Sequence, residues 1–236
     1  MSDAPVIELA GVRFRWTPDG PWVLDVPELV VPRGEHLFLA GPSGSGKSSL
    51  LALIAGVAVP EAGAVRVLGR ALAELGGAQR DRFRADHFGV IFQLFNLLPY
   101  LSVLENVTLA CRFSPRRRER AARAGGAAAE AQRLLRELEL GDEALHARRA
   151  TALSVGQQQR VAAARALIGA PEIVIADEPT SALDTGLRET FVELLMRECS
   201  AAGATLIFVS HDRSLAARFP RRAELPELNR VRSPAC

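Results

Sequence analysis

The sequence predicts an α/β fold with a parallel-sheet core, an antiparallel β-rich entry and an inserted helical subdomain. Three observations carry that prediction. A short, nearly all-apolar run, His36–Ala40, feeds a Gly/Ser-rich loop and then the helical run Ser48–Ala55. Two β-branched apolar runs, Ile173–Ala176 and Thr205–Val209, read as strands buried on both faces, the character of strands in a sheet covered by helices. Between Gln93 and Leu153 the apolar residues instead fall at helical spacing, in Val103–Ala110 and Ala127–Leu138, with no strand between them.

The remaining elements follow in chain order. Val6–Ala10 alternates as a strand, and Val23–Val31 reads as one or two more, broken at Pro27 and closed by Pro32-Arg33-Gly34. Ala64–Leu68 and Phe88–Phe92 are further strand candidates. Inside the helical stretch, Arg116-Arg117-Arg118 and the Ala/Gly segment around Gly125-Gly126 suggest a solvated connection. No aromatic platform accompanies those arginines, so they do not form a nucleic-acid patch. No internal repeat of about 20–50 residues is visible, which argues against a solenoid.

Composition bounds the function. The 236 residues suffice for one large domain with its own core. A net charge of +2 creates no global field toward nucleic acid or anionic lipid. Mean hydropathy is high at +0.10, yet the longest apolar run, Leu50–Val59, is half the ~20 residues a spanning helix needs. Met1–Pro5 shows no basic segment followed by an apolar stretch, so a cytoplasmic protein without a secretory leader is expected. Cys111, Cys199 and Cys236 form no Cys-x-x-Cys pair and are expected to be reduced and structural.

Among 29 basic residues other than histidine, a single lysine stands, Lys47. A position that keeps an ammonium where every other site carries arginine points to a role that a planar guanidinium does not fill.

That lysine lies in Gly41-Pro42-Ser43-Gly44-Ser45-Gly46-Lys47-Ser48, which fits G-x-x-x-x-G-K-[ST] between a strand and a helix. Glycines let the main chain wrap an anion, and the helix N-terminus adds partial positive charge. Lys47 is expected to reach the β/γ-phosphates, Ser48 to ligate Mg²⁺ and Ser49 to cap the helix. Ile173-Val174-Ile175-Ala176 ends in Asp177-Glu178, carboxylates at the end of a strand where α/β sheets place ligands. Asp177 is expected to hold Mg²⁺ through water and Glu178 to orient or activate the attacking water.

Leu153-Ser154-Val155-Gly156-Gln157-Gln158-Gln159-Arg160-Val161-Ala162-Ala163-Ala164-Arg165-Ala166 resembles the signature and following helix of ABC ATPases, commonly LSGGQ-x-QRVAxARA, and stands just upstream of the Asp177 strand. With Gln93, Ser181-Ala182-Leu183-Asp184 and His211, the resemblance to ABC-transporter nucleotide-binding subunits runs from about Val6 to Ala217. It implies a P-loop NTPase with a RecA-like core at 1–92 and 154–220, a helical subdomain at 93–153 and a C-terminal tail at 221–236.

The resemblance also assigns roles. Gln93 looks like the glutamine that touches Mg²⁺ or water, His211 like the switch histidine at the γ-phosphate, and Asp184 like the loop linking paired sites. Ser154, Val155, Gly156 and Gln157 form the signature that faces ATP on the opposite subunit. Val155 departs from the usual glycine, and a β-branched residue restricts backbone freedom there. Val12-Arg13-Phe14-Arg15-Trp16 resembles the approach to the adenine, favouring Trp16 with Phe14 next.

What the family implies is a head-to-tail pair closing around two ATP molecules, with a second copy or a homologous subunit as partner. With no spanning segment, such a subunit docks on a separate integral membrane permease, at the cytoplasmic face of the inner membrane. Phe95–Val107 is similar to the lipoprotein-releasing and macrolide-exporter branch. The alternative is a single-cassette ATPase of the assembly or cell-division type.

Overall fold

The structure is a computed structural model that describes residues 4–181 and 185–231; Asp184 and Cys236 lie outside them. The elements in chain order are β1 (Ile7–Phe14), β2 (Leu24–Val31), β3 (His36–Ala40), α1 (Lys47–Ile54), β4 (Ala62–Val67) and β5 (Arg70–Ala71). Then come α2 (Gly77–His87), β6 (Phe88–Ile91), α3 (Val103–Phe113), α4 (Pro115–Arg123), α5 (Ala127–Glu137) and α6 (Glu143–His146). The remainder are α7 (Val155–Leu167), β7 (Ile173–Asp177), α8 (Thr185–Ala201), β8 (Thr205–Ser210), β9 (Arg221–Glu224) and α9 (Leu225–Leu228). They fall into two compact units, one up to Arg84 and again from Ile207 onward, the other Ala85–Leu206.

The first unit carries an antiparallel sheet in the order β2-β1-β4-β5. β2 runs unbroken through Pro27, contrary to the expected break, and its place at the sheet edge explains why: an edge strand tolerates a residue without an N–H. β3 is buried along its whole length and has β8 and β9 as neighbours, pairing with β9 in parallel from Leu37↔Arg221 to Ala40↔Glu224. Phe38, Phe208 and Phe219 pack there with ring centroids 5.2–6.1 Å apart, within the range of favourable aromatic pairs. The segment from Arg221, expected to be a tail without a motif, therefore contributes a strand and a short helix.

The second unit pairs β6 and β7 in parallel, Phe88↔Ile173 through Ile91↔Ala176, lays α7 on β6, and packs α3 and α5 on α7 with α4 against both. The triple arginine is not a solvated connection. Ser114 caps α4 with Pro115 at its first position, and the helical turn then buries Arg117 while Arg116 and Arg118 stay exposed. Arg117 is 3% exposed and spends its guanidinium on main-chain carbonyls of Phe88, Arg165, Ala166 and Ile168. Burial pulls its pKa down to about 10. Arg116 and Arg120 instead reach the Glu172 carboxylate at 2.9 and 2.6 Å, with His87 at 3.0 Å. Cys111 and Cys199 are buried free thiols, and burial pushes both thiol pKa values up. Among the described residues, no helix is long and apolar enough to cross a membrane.

Candidate functional site

In the first unit the site is built on the turn from β3 to α1. Ala40 ends the buried strand and the chain wraps through Gly41–Gly46 before Lys47 opens the helix. Gly46, the residue before the helix, has φ 101° and lies so close to Leu24 that an added Cβ would meet its side chain at 2.9 Å. Only glycine satisfies both the left-handed backbone and the close approach. No acidic side chain stands in the first turn of α1, so its N–H groups keep their partial positive charge for an anion.

Lys47 folds back across the loop and donates its Nζ to the carbonyls of Gly41 (2.6 Å) and Pro42 (3.0 Å). Ser45 is buried at 8% exposure, and its Oγ has no hydrogen-bond partner among the described residues. A buried hydroxyl of this kind calls for a partner. Ser43 is exposed on the loop and Ser48 in the first turn of α1. Ser49 does not cap the helix: Gly46 holds that position without a side-chain cap. The Ser49 hydroxyl instead accepts the indole N–H of Trp16 at 3.2 Å.

That bond separates the two aromatic candidates for the adenine. Phe14 is 4% exposed and belongs to the core, whereas Trp16 is 61% exposed and meets the edge of Phe14 with centroids 4.9 Å apart. Trp16 thus offers a supported, solvent-facing ring. His211 is exposed directly beyond β8, the strand beside β3, and Asp212 caps the turn that follows by accepting from Ser214 N at 3.1 Å.

Sequence reasoning missed Asn229, which follows α9 and is 7% exposed. Its Oδ1 accepts from Asp25 N (2.8 Å) and Val231 N (3.2 Å), while its Nδ2 donates to Val23 O (2.9 Å) and Ser45 O (3.4 Å). One amide thereby ties the phosphate loop to the start of β2. A contact reaching back 184 residues to Ser45 leaves no local pattern to read.

In the second unit the β6–β7 register sets Ile91 opposite Ala176, so Gln93 and Asp177 follow at the same strand edge. Gln93 is exposed at the corner of a turn closed by Phe95 N–H to Phe92 O at 2.9 Å. Asp177 ends β7 half-buried, and Glu178 follows it with a left-handed φ of 48°, an uncommon backbone for a carboxylate residue.

The signature forms the first turn of α7. Ser154 is its N-cap, the hydroxyl accepting from Gln157 N at 3.3 Å while the Gln157 side chain accepts from Ser154 N at 2.9 Å. This reciprocal box fixes where the helix begins. Gln157 is thus committed to the cap. Val155 is the first helical residue, is 45% exposed, and has no positive φ. A glycine is not required there, and the β-branched side chain sits without obstruction.

A buried strand, a left-handed glycine loop and a helix start with one lysine folded over them define a P-loop nucleoside triphosphatase. The sequence profile of the ABC transporter family matches residues 24–181. The chain is 45% identical to the lipoprotein-releasing system ATP-binding protein LolD of Anaeromyxobacter dehalogenans, over 94% of this chain and 90% of that one. It is 40% identical to the macrolide export ATP-binding/permease protein MacB of Burkholderia thailandensis, over 94% of this chain but only 33% of that larger protein. The fold matches the ATP-binding cassette MJ0796, solved as a dimer in a post-hydrolysis state bound to ADP and Pi, with a TM-score of 0.78, 33% identity and coverage of 92% and 93%. The chain belongs to the ABC transporter family, as an ATP-binding component that hydrolyses ATP to serve transport.

Proposed function

We propose that this chain pairs, with a second copy or a close homologue, around two ATP molecules and drives a separate membrane permease in export, lipoprotein release or mechanotransmission. The observation that carries this reading is the presence in one chain of two prepared helix N-termini: α1 behind the glycine loop and α7 behind the Ser154 cap. In a head-to-tail pair, the phosphate loop of one protomer and the signature of its partner would then receive the same nucleotide. We assign the catalytic core to 1–92 and 154–220, the helical subdomain to 93–153 and the closing segment to 221–236.

Within each site, the glycine-loop N–H groups cradle the phosphates, Lys47 leaves the Gly41 and Pro42 carbonyls for the β/γ-phosphates, and Trp16 stacks on adenine. Glu178 accepts a proton from the attacking water, or orients it, and His211 contacts the γ-phosphate from the end of β8. Ser154 and Gly156 meet the γ-phosphate of the partner's nucleotide; Asp184 is assigned to the link between the two sites. The donor set of Ser48 hydroxyl, Gln93 amide oxygen and Asp177 carboxylate is hard, all-oxygen and small in number, which fits Mg²⁺, an ion that keeps several waters. Mg²⁺ bound there supplies charge neutralisation at the transferring phosphoryl group.

The permease side is supported by the surface beside Gln93. Leu94 is 82% and Tyr100 68% exposed, with Phe92 at 42%. Fully buried Asn106 shapes that loop by holding Leu98 N and the carbonyls of Leu98, Leu101 and Ser102. Exposed apolar side chains on a fixed loop suit a helix presented by a membrane partner. On this reading the subunit works at the cytoplasmic face of the inner membrane.

The test is recovery of partners on tagged Glu178→Gln from detergent-solubilised native membranes with ATP. Co-purification of an integral membrane permease is the expected result. Recovery of soluble proteins alone, with the bait absent from membranes, would overturn the transporter assignment in favour of an assembly-type role.

A further inference from the structure

Phe95 and Asn96 directly follow the turn that carries Gln93, and both are left-handed, with φ of 58° and 49°. Neither is glycine, and a left-handed phenylalanine in particular persists only where its surroundings over-determine it. Asn96 N–H donates to the Leu94 carbonyl at 2.6 Å and closes the same corner.

One side chain supplies the restraint. Arg165, near the end of α7, donates Nη2 to the Phe95 carbonyl at 2.5 Å and Nη1 to the Asn96 carbonyl at 2.6 Å. The rigid guanidinium fork matches two successive carbonyls in a way that a single ammonium cannot. No carboxylate pairs with Arg165 among the described residues, so its charge is spent on these two dipoles.

The base of Arg165 is itself fixed. Arg117 donates to the Arg165 carbonyl at 3.2 Å, the Ala166 carbonyl at 2.7 Å and the Ile168 carbonyl at 2.8 Å, and reaches Phe88 O at 3.1 Å. Gly89 allows the end of α7 to lie directly on β6: a Cβ there would stand 2.1 Å from the Ala166 carbonyl. The end of α7 therefore grips the strand before the Gln93 turn through Arg117 and Gly89, and the residues after that turn through Arg165. The other end of the same 13-residue helix bears Ser154, about 20 Å away at 1.5 Å per residue.

We propose that Arg165 is a positioning residue for Gln93. It holds Phe95 and Asn96 left-handed, and so makes the Gln93 turn and the signature helix move as one piece. The inference rests on the roles proposed above for Gln93 and Ser154. Through it, displacement of α7 by the partner's nucleotide repositions Gln93 on its own side.

The test uses the full chain with Arg165→Ala, Arg165→Lys, and Arg165→Ala combined with Asn96→Gly. Steady-state ATPase kinetics are read beside amide hydrogen exchange without nucleotide. For Arg165→Ala we expect kcat to fall about tenfold or more with KM for ATP within about twofold, and exchange to rise in residues 92–97. Asn96→Gly takes a positive φ without steric cost, so adding it is expected to recover about threefold or more of the lost kcat. Arg165→Lys is expected to be intermediate.

Unchanged kcat and unchanged exchange in Arg165→Ala would overturn the proposal. So would a rise in exchange throughout α7 with no recovery from Asn96→Gly, since that would reduce Arg165 to helix packing. If Arg165→Ala fails to fold, the same reading is taken from Arg165→Lys, where wild-type kcat and exchange overturn it. Gln93→Ala is measured in parallel. Wild-type turnover there removes the Gln93 role itself, whereas impaired Gln93→Ala beside unimpaired Arg165→Ala removes only this inference.

Discussion

The indole N–H of Trp16 lies 3.2 Å from the Ser49 hydroxyl, which couples a solvent-facing ring in the loop after β1 to the helix that begins at Lys47. The ring is therefore oriented by the same helix whose N-terminus follows the glycine loop. Trp16→Ala should raise KM for ATP about tenfold, the effect of losing roughly 1.4 kcal/mol of stacking and contact, with kcat little changed. Ser49→Ala keeps the ring but frees its orientation, and a rise of about two- to fivefold is expected. Steady-state kinetics of both variants check this; an unaltered KM in Trp16→Ala would remove the ring from the nucleotide site.

Val155 marks where sequence and structure read a departure differently. As a substitute for glycine it raised a question of backbone freedom, yet it stands at the first position of α7 with an exposed side chain and no positive φ. Val155→Gly should keep ATPase activity within about tenfold, under ~1.4 kcal/mol of barrier. It should also lower stability by about 0.5 kcal/mol through the greater entropy of glycine. A loss of activity far beyond tenfold would mean that the signature turn depends on the valine itself.

The Glu172 cluster predicts a pH dependence. Burial raises the Glu172 pKa, but hydrogen bonds from His87 and Arg120 outweigh it and hold the carboxyl well below its ordinary value. The folded state thus binds fewer protons than the unfolded one at this group. Its stabilisation is complete above the unfolded carboxylate pKa of about 4.3 and fades as pH falls below it. Glu172→Gln should be less stable at pH 7 by roughly 3 kcal/mol, since Arg116 and Arg120 lose a partially buried partner. Its stability should also fall less steeply between about pH 5 and pH 3 than that of the wild type. Denaturant midpoints across that range measure both, and parallel slopes would contradict the assignment.

β3, β7 and β8 were legible because each is an apolar run of only five or six residues, too short for a buried helix; His36–Ala40 was read to the residue. The phosphate loop was legible because its spacing is a backbone requirement. Other features were not, each for a physical reason. The arginines of α4 look like a solvated run until the helix turn hides Arg117 among carbonyls. β9 is only half-buried and polar in sequence, Arg221-Arg222-Ala223-Glu224, and becomes a strand because β3 offers it a parallel partner. Arg165 sits inside the motif stretch, but its partners Phe95 and Asn96 lie about 70 residues earlier in the chain.

Asn229 was legible least of all, and its consequence is testable. Its four hydrogen bonds join Val23, Asp25, Ser45 and Val231, and α9 brings Leu225 and Pro226 against Gly41, where an added Cβ would meet them at 3.4 and 3.6 Å. The segment Leu225–Asn229 thus packs against the glycine loop at Gly41 and Ser45. Asn229→Ala leaves buried main-chain groups of β2 unpaired, which costs about 2 kcal/mol, read as a lower denaturation midpoint. Because one bond ends on Ser45, the loop should also loosen and the Kd for ATP rise about threefold or more, with kcat at saturating ATP close to wild type. Asn229→Asp probes the donor side. It keeps the acceptor for Asp25 N but sets a buried carboxylate oxygen against the Ser45 and Val23 carbonyls, so it should be less stable than the alanine variant while showing at least as large a rise in Kd. Equal Kd values in all three proteins would confine Asn229 to fold stability.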